Sequence, residues 1–178
     1  MTNTKWTIDP THSAIEFSVK HMMIAKVKGS FNKFEASILA NPLDLTTAEI
    51  DFTVDVASID TRNADRDNHL RSADFFDVEN NPTLTFKSTK IVKTNEDEYD
   101  VTGNVTLNGI TQEETFSITF EGQGKDPWGN EKAGFSGKGK VKRSDYGLTY
   151  NAALETGGVL IGDQITLTIE IEAAKEAY

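Results

Sequence analysis

The chain has 178 residues, 37% of them hydrophobic, and a formal net charge of −10. That size fits one domain with a real core, and the acidity argues against nucleic acid and anionic membrane surfaces as partners. With no cysteine in the chain, disulfides, thiolate catalysis and cysteine-ligated zinc are excluded.

The first residues carry no apolar signal-like run, and no segment reaches membrane-spanning length. The expectation is a cytoplasmic protein that does not span a membrane. From there, period-2 alternation dominates. Ile15, Phe17 and Val19 share one face, and Phe34, Ala36 and Ile38 repeat the pattern. Ile50, Phe52, Val54 and Val56 alternate with two acids and a Thr. The stretch from Asn63 to Phe76 does not alternate; Asn63 and Ser72 look like helix N-caps, which predicts one or two short helices inserted near residues 63–76.

Strand patterns resume at Leu84–Ser88, after Asn81-Pro82, and at Tyr99–Leu107, which runs into the hairpin signal Asn108-Gly109. Phe116–Phe120, Phe135–Lys142 and Ile165–Glu172 follow, with a loop expected over Gly122–Gly134. The count is about eight strands, each with one apolar and one wet face, the antiparallel signature. Pairing the first strand with the last would remove both edges, so a barrel is expected ahead of a two-sheet sandwich.

An eight-stranded barrel is filled by side chains or holds one small ligand. Gly103, Gly137, Gly139, Ala36 and Ser88 are small residues on faces otherwise built from Phe, Ile and Val. They either curve the sheet or leave an open apolar channel. A channel of that kind takes an apolar guest, because each buried CH₂ contributes roughly 0.8 kcal/mol.

Several blocks resemble the YceI-like family of lipocalin-like, polyisoprenoid-binding proteins. They are Trp6–His21, Arg66–Asp77 with Asn81-Pro82, Gly103–Thr111, Arg143–Leu148 and Gly162–Ile165. The resemblance implies an all-β, extended eight-stranded antiparallel barrel with a helical insert. It also implies a tunnel for a polyprenyl or fatty-acyl lipid, a role in isoprenoid transport, storage or stress response, and a homodimer. On this reading Phe17, Val19, Phe52, Val54, Phe86, Val101, Phe116 and Gly137 line the lumen, and His21, Arg66 and His69 stand at its mouth.

Alternatives remain for individual groups. His12, His21 and His69 lack the spacing of a zinc motif, so no metal and no cofactor is expected. His12 is expected to bond a local turn beside Asp9-Pro10. Arg66 either ion-pairs with a carboxylate and pins the insert, or meets an anionic head group. Met22-Met23-Ile24-Ala25 forms a lip, a dimer contact or core, and Lys138, Lys140 and Lys142 read as a solvated outer face, with docking to an anionic partner as the alternative. No nucleophile elbow accompanies Ser13 or Ser144, so a binding protein is expected rather than an enzyme. A His-dependent lipid enzyme and a solid-core interaction module are the competing readings.

Overall fold

The computed structural model describes residues 3–151 and 160–176. Its strands are β1 (Thr4–Ile8), β2 (Ala14–His21), β3 (Ala25–Phe31), β4 (Phe34–Asn41), β5 (Asp44–Asp55), β6 (Ile59–Asp60), β7 (Thr83–Asn95), β8 (Glu98–Leu107), β9 (Ile110–Lys125), β10 (Glu131–Lys142) and β11 (Ile161–Lys175). The helix α1 spans Ala64–Arg71. Every pairing is antiparallel. Eight strands, in the order β1-β4-β5-β7-β8-β9-β10-β11, close into a barrel through β1–β11. A second run, β11-β2-β3-β6, extends the wall beyond that ring.

The extension exists because three strand lines are interrupted side by side. Pro10 has no N–H to give the ladder, and Asp9 caps a 3-10 turn there by accepting from the Thr11 N–H. The first line therefore breaks between β1 and β2. Asn32-Lys33 separates β3 from β4, and a 3-10 turn at Val56–Ser58, capped by Asp55, separates β5 from β6. The registers Trp6↔Ile38, Ile15↔Phe31, Phe34↔Val54 and Phe31↔Ile59 place the three breaks at one level. Each line thus contributes one segment to the ring and one to the extension.

β6 pairs with β3 on one edge, and α1 side chains serve the other. Arg71 donates to the carbonyls of Ala57 (2.8 Å) and Ile59 (3.1 Å). Asp67 accepts from the N–H of Thr61, and Arg66 donates to the Thr61 carbonyl. Backbone groups that a ninth strand would have bonded are thereby satisfied, as burial requires.

Eight of the strands match the alternating segments of the sequence, and β1, β3 and β6 are additional. The insert holds one helix. Asn63 is its N-cap, accepting from the Arg66 N–H, but Ser72 is its C-cap and begins a run of turns, not a second helix. The expected loop over Gly122–Gly134 narrows to a tight connection at Asp126–Asn130. The Asp126 carboxylate accepts from Trp128 and Asn130, and β9 and β10 pair through the flanking glycines with one bulge.

Candidate functional site

The inward faces enclose two chambers. The inner one, inside the eight-strand ring, measures about 150 Å³, and its walls expose no polar atom. The outer one, about 410 Å³, lies within the extension, under α1 and residues 143–150. Phe31, Leu84, Leu107, Val141, Tyr146 and Leu167 border both, so the two adjoin at a waist formed by these side chains. Trp6 and Tyr99, 4% and 1% exposed, pack with Ile38, Ala40 and Leu45 at the far end of the inner chamber, and the Trp6 indole N–H donates to the Ala40 carbonyl.

Phe52, Val54, Phe86, Val101, Phe116 and Gly137 line the inner chamber, and Phe17 and Val19 the outer one. His21, Arg66 and His69 also line the outer chamber. That chamber reaches the surface where the lining residues Lys20, His69 and Tyr150 are exposed. His69, Phe75 and Tyr150 form a rim of three rings, each pair 5.0 Å apart between centroids, and Asp74 holds the His69 Nε2 at 2.9 Å.

The inward glycines follow a different logic from the one the sequence suggested. A Cβ at Gly103 would meet the Phe86 ring, at Gly137 the Ile118 side chain, and at Gly139 the Phe116 ring. The Cβ position at each glycine is already taken by a large neighbour, so the glycines make room for those side chains, and Gly137 borders the inner chamber without itself opening it. Ser88 turns its hydroxyl to the Ile50 N–H, which lies just past the end of the β5–β7 ladder.

Arg66 is anchored differently from expectation. Its Nε donates to the Thr61 hydroxyl (2.8 Å) and its Nη2 to the Thr61 carbonyl (2.7 Å), and no carboxylate lies within ion-pair distance among the described residues. The buried Asp67 accepts the Thr61 hydroxyl instead. Arg66 therefore reaches the outer chamber with its Nη1 unbonded by the described residues.

Arg143, which the sequence reading placed in a motif but not at the site, also lines this chamber. It is 7% exposed and donates to the carbonyls of Leu148, Gly162 and Ile161, and burial pushes its pKa down. Its signal was a charged residue flanked by the inward Val141 and Tyr146. At the waist, the Tyr146 hydroxyl donates to Glu114 at 2.9 Å, and burial pushes both groups' pKa values up.

His12 lies elsewhere, against Asp9 as expected and also against Glu172. These three could place ligand atoms within 4.8 Å of one another, and the Lys132 ammonium lies 3.8 Å from the Asp9 oxygen that His12 also bonds. Around the chambers the arrangement offers apolar contact over a long path and a few donors at one end. That suits holding an amphiphile more than moving protons.

Comparison with known proteins agrees with this geometry. The chain is 42% identical over 170 residues to a UPF0312 protein of Staphylococcus epidermidis, spanning 95% of this chain and 96% of the relative. Among solved structures, a YceI protein of Campylobacter jejuni shares 34% identity with a TM-score of 0.76, over 89% of this chain and 90% of that one. Two others share the fold at lower identity. BcnA of Burkholderia cenocepacia is 24% identical with a TM-score of 0.81, covering 93% of this chain and 98% of its own. A polyisoprenoid binding domain from Saccharophagus degradans is 13% identical with a TM-score of 0.72, covering 97% and 99%. The YceI-like domain matches residues 6–173, and the chain belongs to the YceI-like family.

Proposed function

We propose that the protein binds a long-chain amphiphilic lipid, a polyisoprenoid or fatty-acyl derivative, and carries or stores it without altering it. The tail lies in the inner chamber and the head group stays at the outer one, beside Arg66, His21 and His69. The observation that carries this reading is the inner chamber itself, walled wholly by apolar atoms and adjoining a wider, partly polar one. Such a wall rewards every methylene that leaves water, by roughly 0.8 kcal/mol, and gives a hydroxyl or charge nothing to bond. A relative of the same fold described as polyisoprenoid-binding supports the choice of lipid class.

Organic extraction of the protein purified from its own cells, followed by mass spectrometry, tests the proposal directly. A stoichiometric prenyl or acyl lipid is the expected result. Val141→Trp, which fills the waist, should lower retention of a long prenyl probe at least tenfold while the far-ultraviolet circular dichroism and cooperative unfolding stay native. A folded Val141→Trp protein retaining the probe as well as wild type would overturn the tunnel.

A further inference from the structure

Net charge hides a local reversal. On the outward face of β10, β11, β2 and β3 the ladder aligns Lys140, Thr166, Ser18 and Lys28 in one row. Nearer the mouth, Lys142 stands opposite Gln164 and Lys20 opposite Lys26, and on the other side Lys138 begins the row of Thr168 and Glu16. All six lysines are exposed, and none has an ion-pair partner among the described residues. Lys5, Lys132 and Lys175, by contrast, each pair with an acid. The Lys138 row runs on through Glu16 and Ser30 to Asp60, and Glu170 stands one row further from the mouth; nearer the mouth the acid beside the lysines is Asp163, which Ser144 already binds.

The same face ends in the β2–β3 hairpin, whose tip is apolar. Met22, Met23 and Ile24 are 44%, 51% and 85% exposed. Met22 and Met23 both adopt left-handed backbone, φ 54° and 62°, a conformation that Asn and Gly fill with least strain. The turn thus holds two long apolar side chains where small polar ones would fit better. The tip also sits at the mouth, because His21 lines the outer chamber and the Met22 N–H donates to the Leu160 carbonyl.

We infer that this end of the barrel docks on an anionic phospholipid bilayer, with Met22, Met23 and Ile24 inserted at the headgroup–acyl boundary and the lysines against the lipid phosphates. The inference rests on the lipid-binding reading for its purpose, since docking there turns the opening of the apolar chamber toward the membrane. Charge complementarity selects the surface: clustered unpaired lysines favour anionic lipid, and exposed apolar side chains beside them supply the insertion. The acidic remainder of the molecule is repelled, which orients the approach.

The test is co-sedimentation of the full chain with vesicles of phosphatidylcholine alone and of phosphatidylcholine with phosphatidylserine, alongside retention of a fluorescent prenyl probe in vesicle-free buffer. Wild type should bind the phosphatidylserine vesicles and release them in high salt. Replacing three lysines, Lys26→Gln, Lys28→Gln and Lys140→Gln, should lower that partitioning roughly a hundredfold. Met23→Ser with Ile24→Ser should lower it as well, and both variants should retain the probe like wild type. Wild-type binding that ignores vesicle charge, or variants that bind vesicles undiminished, would overturn the docking surface. Loss of probe retention by wild type itself, with vesicle binding intact, would instead overturn the carrier reading and leave the surface standing.

Discussion

The ring of Phe116 on β9 lies over Gly139 on the neighbouring β10, where a Cβ would overlap it. Phe17 and Gly29, directly opposite on β2 and β3, repeat the arrangement. Large and small partners interdigitate across the wall, so the rings lie flat against the barrel instead of filling its axis. Gly139→Ala should therefore destabilise the fold by about 1–3 kcal/mol through overpacking, read by urea denaturation. Adding Phe116→Leu should return part of that loss; strict additivity of the two changes would show that the contact is not the cause.

The pair Asp9–His12 sets a pH dependence. Its hydrogen bond to Asp9 and then the charge of Glu172 hold the His12 pKa above the ordinary 6.5. The same bond leads the causes that hold the Asp9 carboxyl well below the carboxylate range. A raised folded value means that His12 stabilises fully below pH 6.5 and loses that contribution as pH rises through the folded value. The depressed Asp9 value acts oppositely: its contribution is present above pH 3.8 and lost as pH falls through the folded value. The difference in stability between wild type and His12→Gln should thus be largest between these limits and shrink on the alkaline side. A difference constant from pH 6 to 9 would contradict it.

Arg71 closes the free edge of β6. Arg71→Met keeps much of the packing but strips the Ala57 and Ile59 carbonyls of their donors, and each loss costs about 1–3 kcal/mol where water cannot replace it. Hydrogen exchange followed by mass spectrometry should show faster opening across residues 56–76, with the ring strands unchanged. Uniform acceleration over the whole chain would mean that the clasp is not local.

The two tryptophans report opposite environments, Trp6 at 4% exposure and Trp128 at 83%. Iodide should quench only part of the wild-type fluorescence, and Trp128→Phe should leave a blue-shifted, nearly unquenchable emitter. Trp6→Ala should cost about 3–5 kcal/mol, as large-to-small changes in cores do.

The main strands were legible because alternation over five or more residues survives any curvature of the sheet. β1 was not counted because only Trp6 and Ile8 mark it, and β3 because Gly29 stands where an inward apolar residue would have kept the rhythm. Gly29 is there because Phe17 needs the space, a cross-strand fact. The lumen residues follow from alternation once the barrel is assumed. Arg143 was not placed at the site because two of the three carbonyls it binds, those of Ile161 and Gly162, are far from it in sequence. Half of the basic face was legible as Lys138, Lys140 and Lys142 on one strand; the other half, Lys20, Lys26 and Lys28, lies more than a hundred residues away and meets it only through β11.

A seam runs down one side of this wall. Elsewhere neighbouring strands are laced by backbone bonds that break only when a strand moves, whereas at β6 the fastening consists of Arg66, Asp67 and Arg71 reaching across from a helix. Losing those few side-chain bonds would loosen the wall beside the opening while every strand of the ring keeps its ladder.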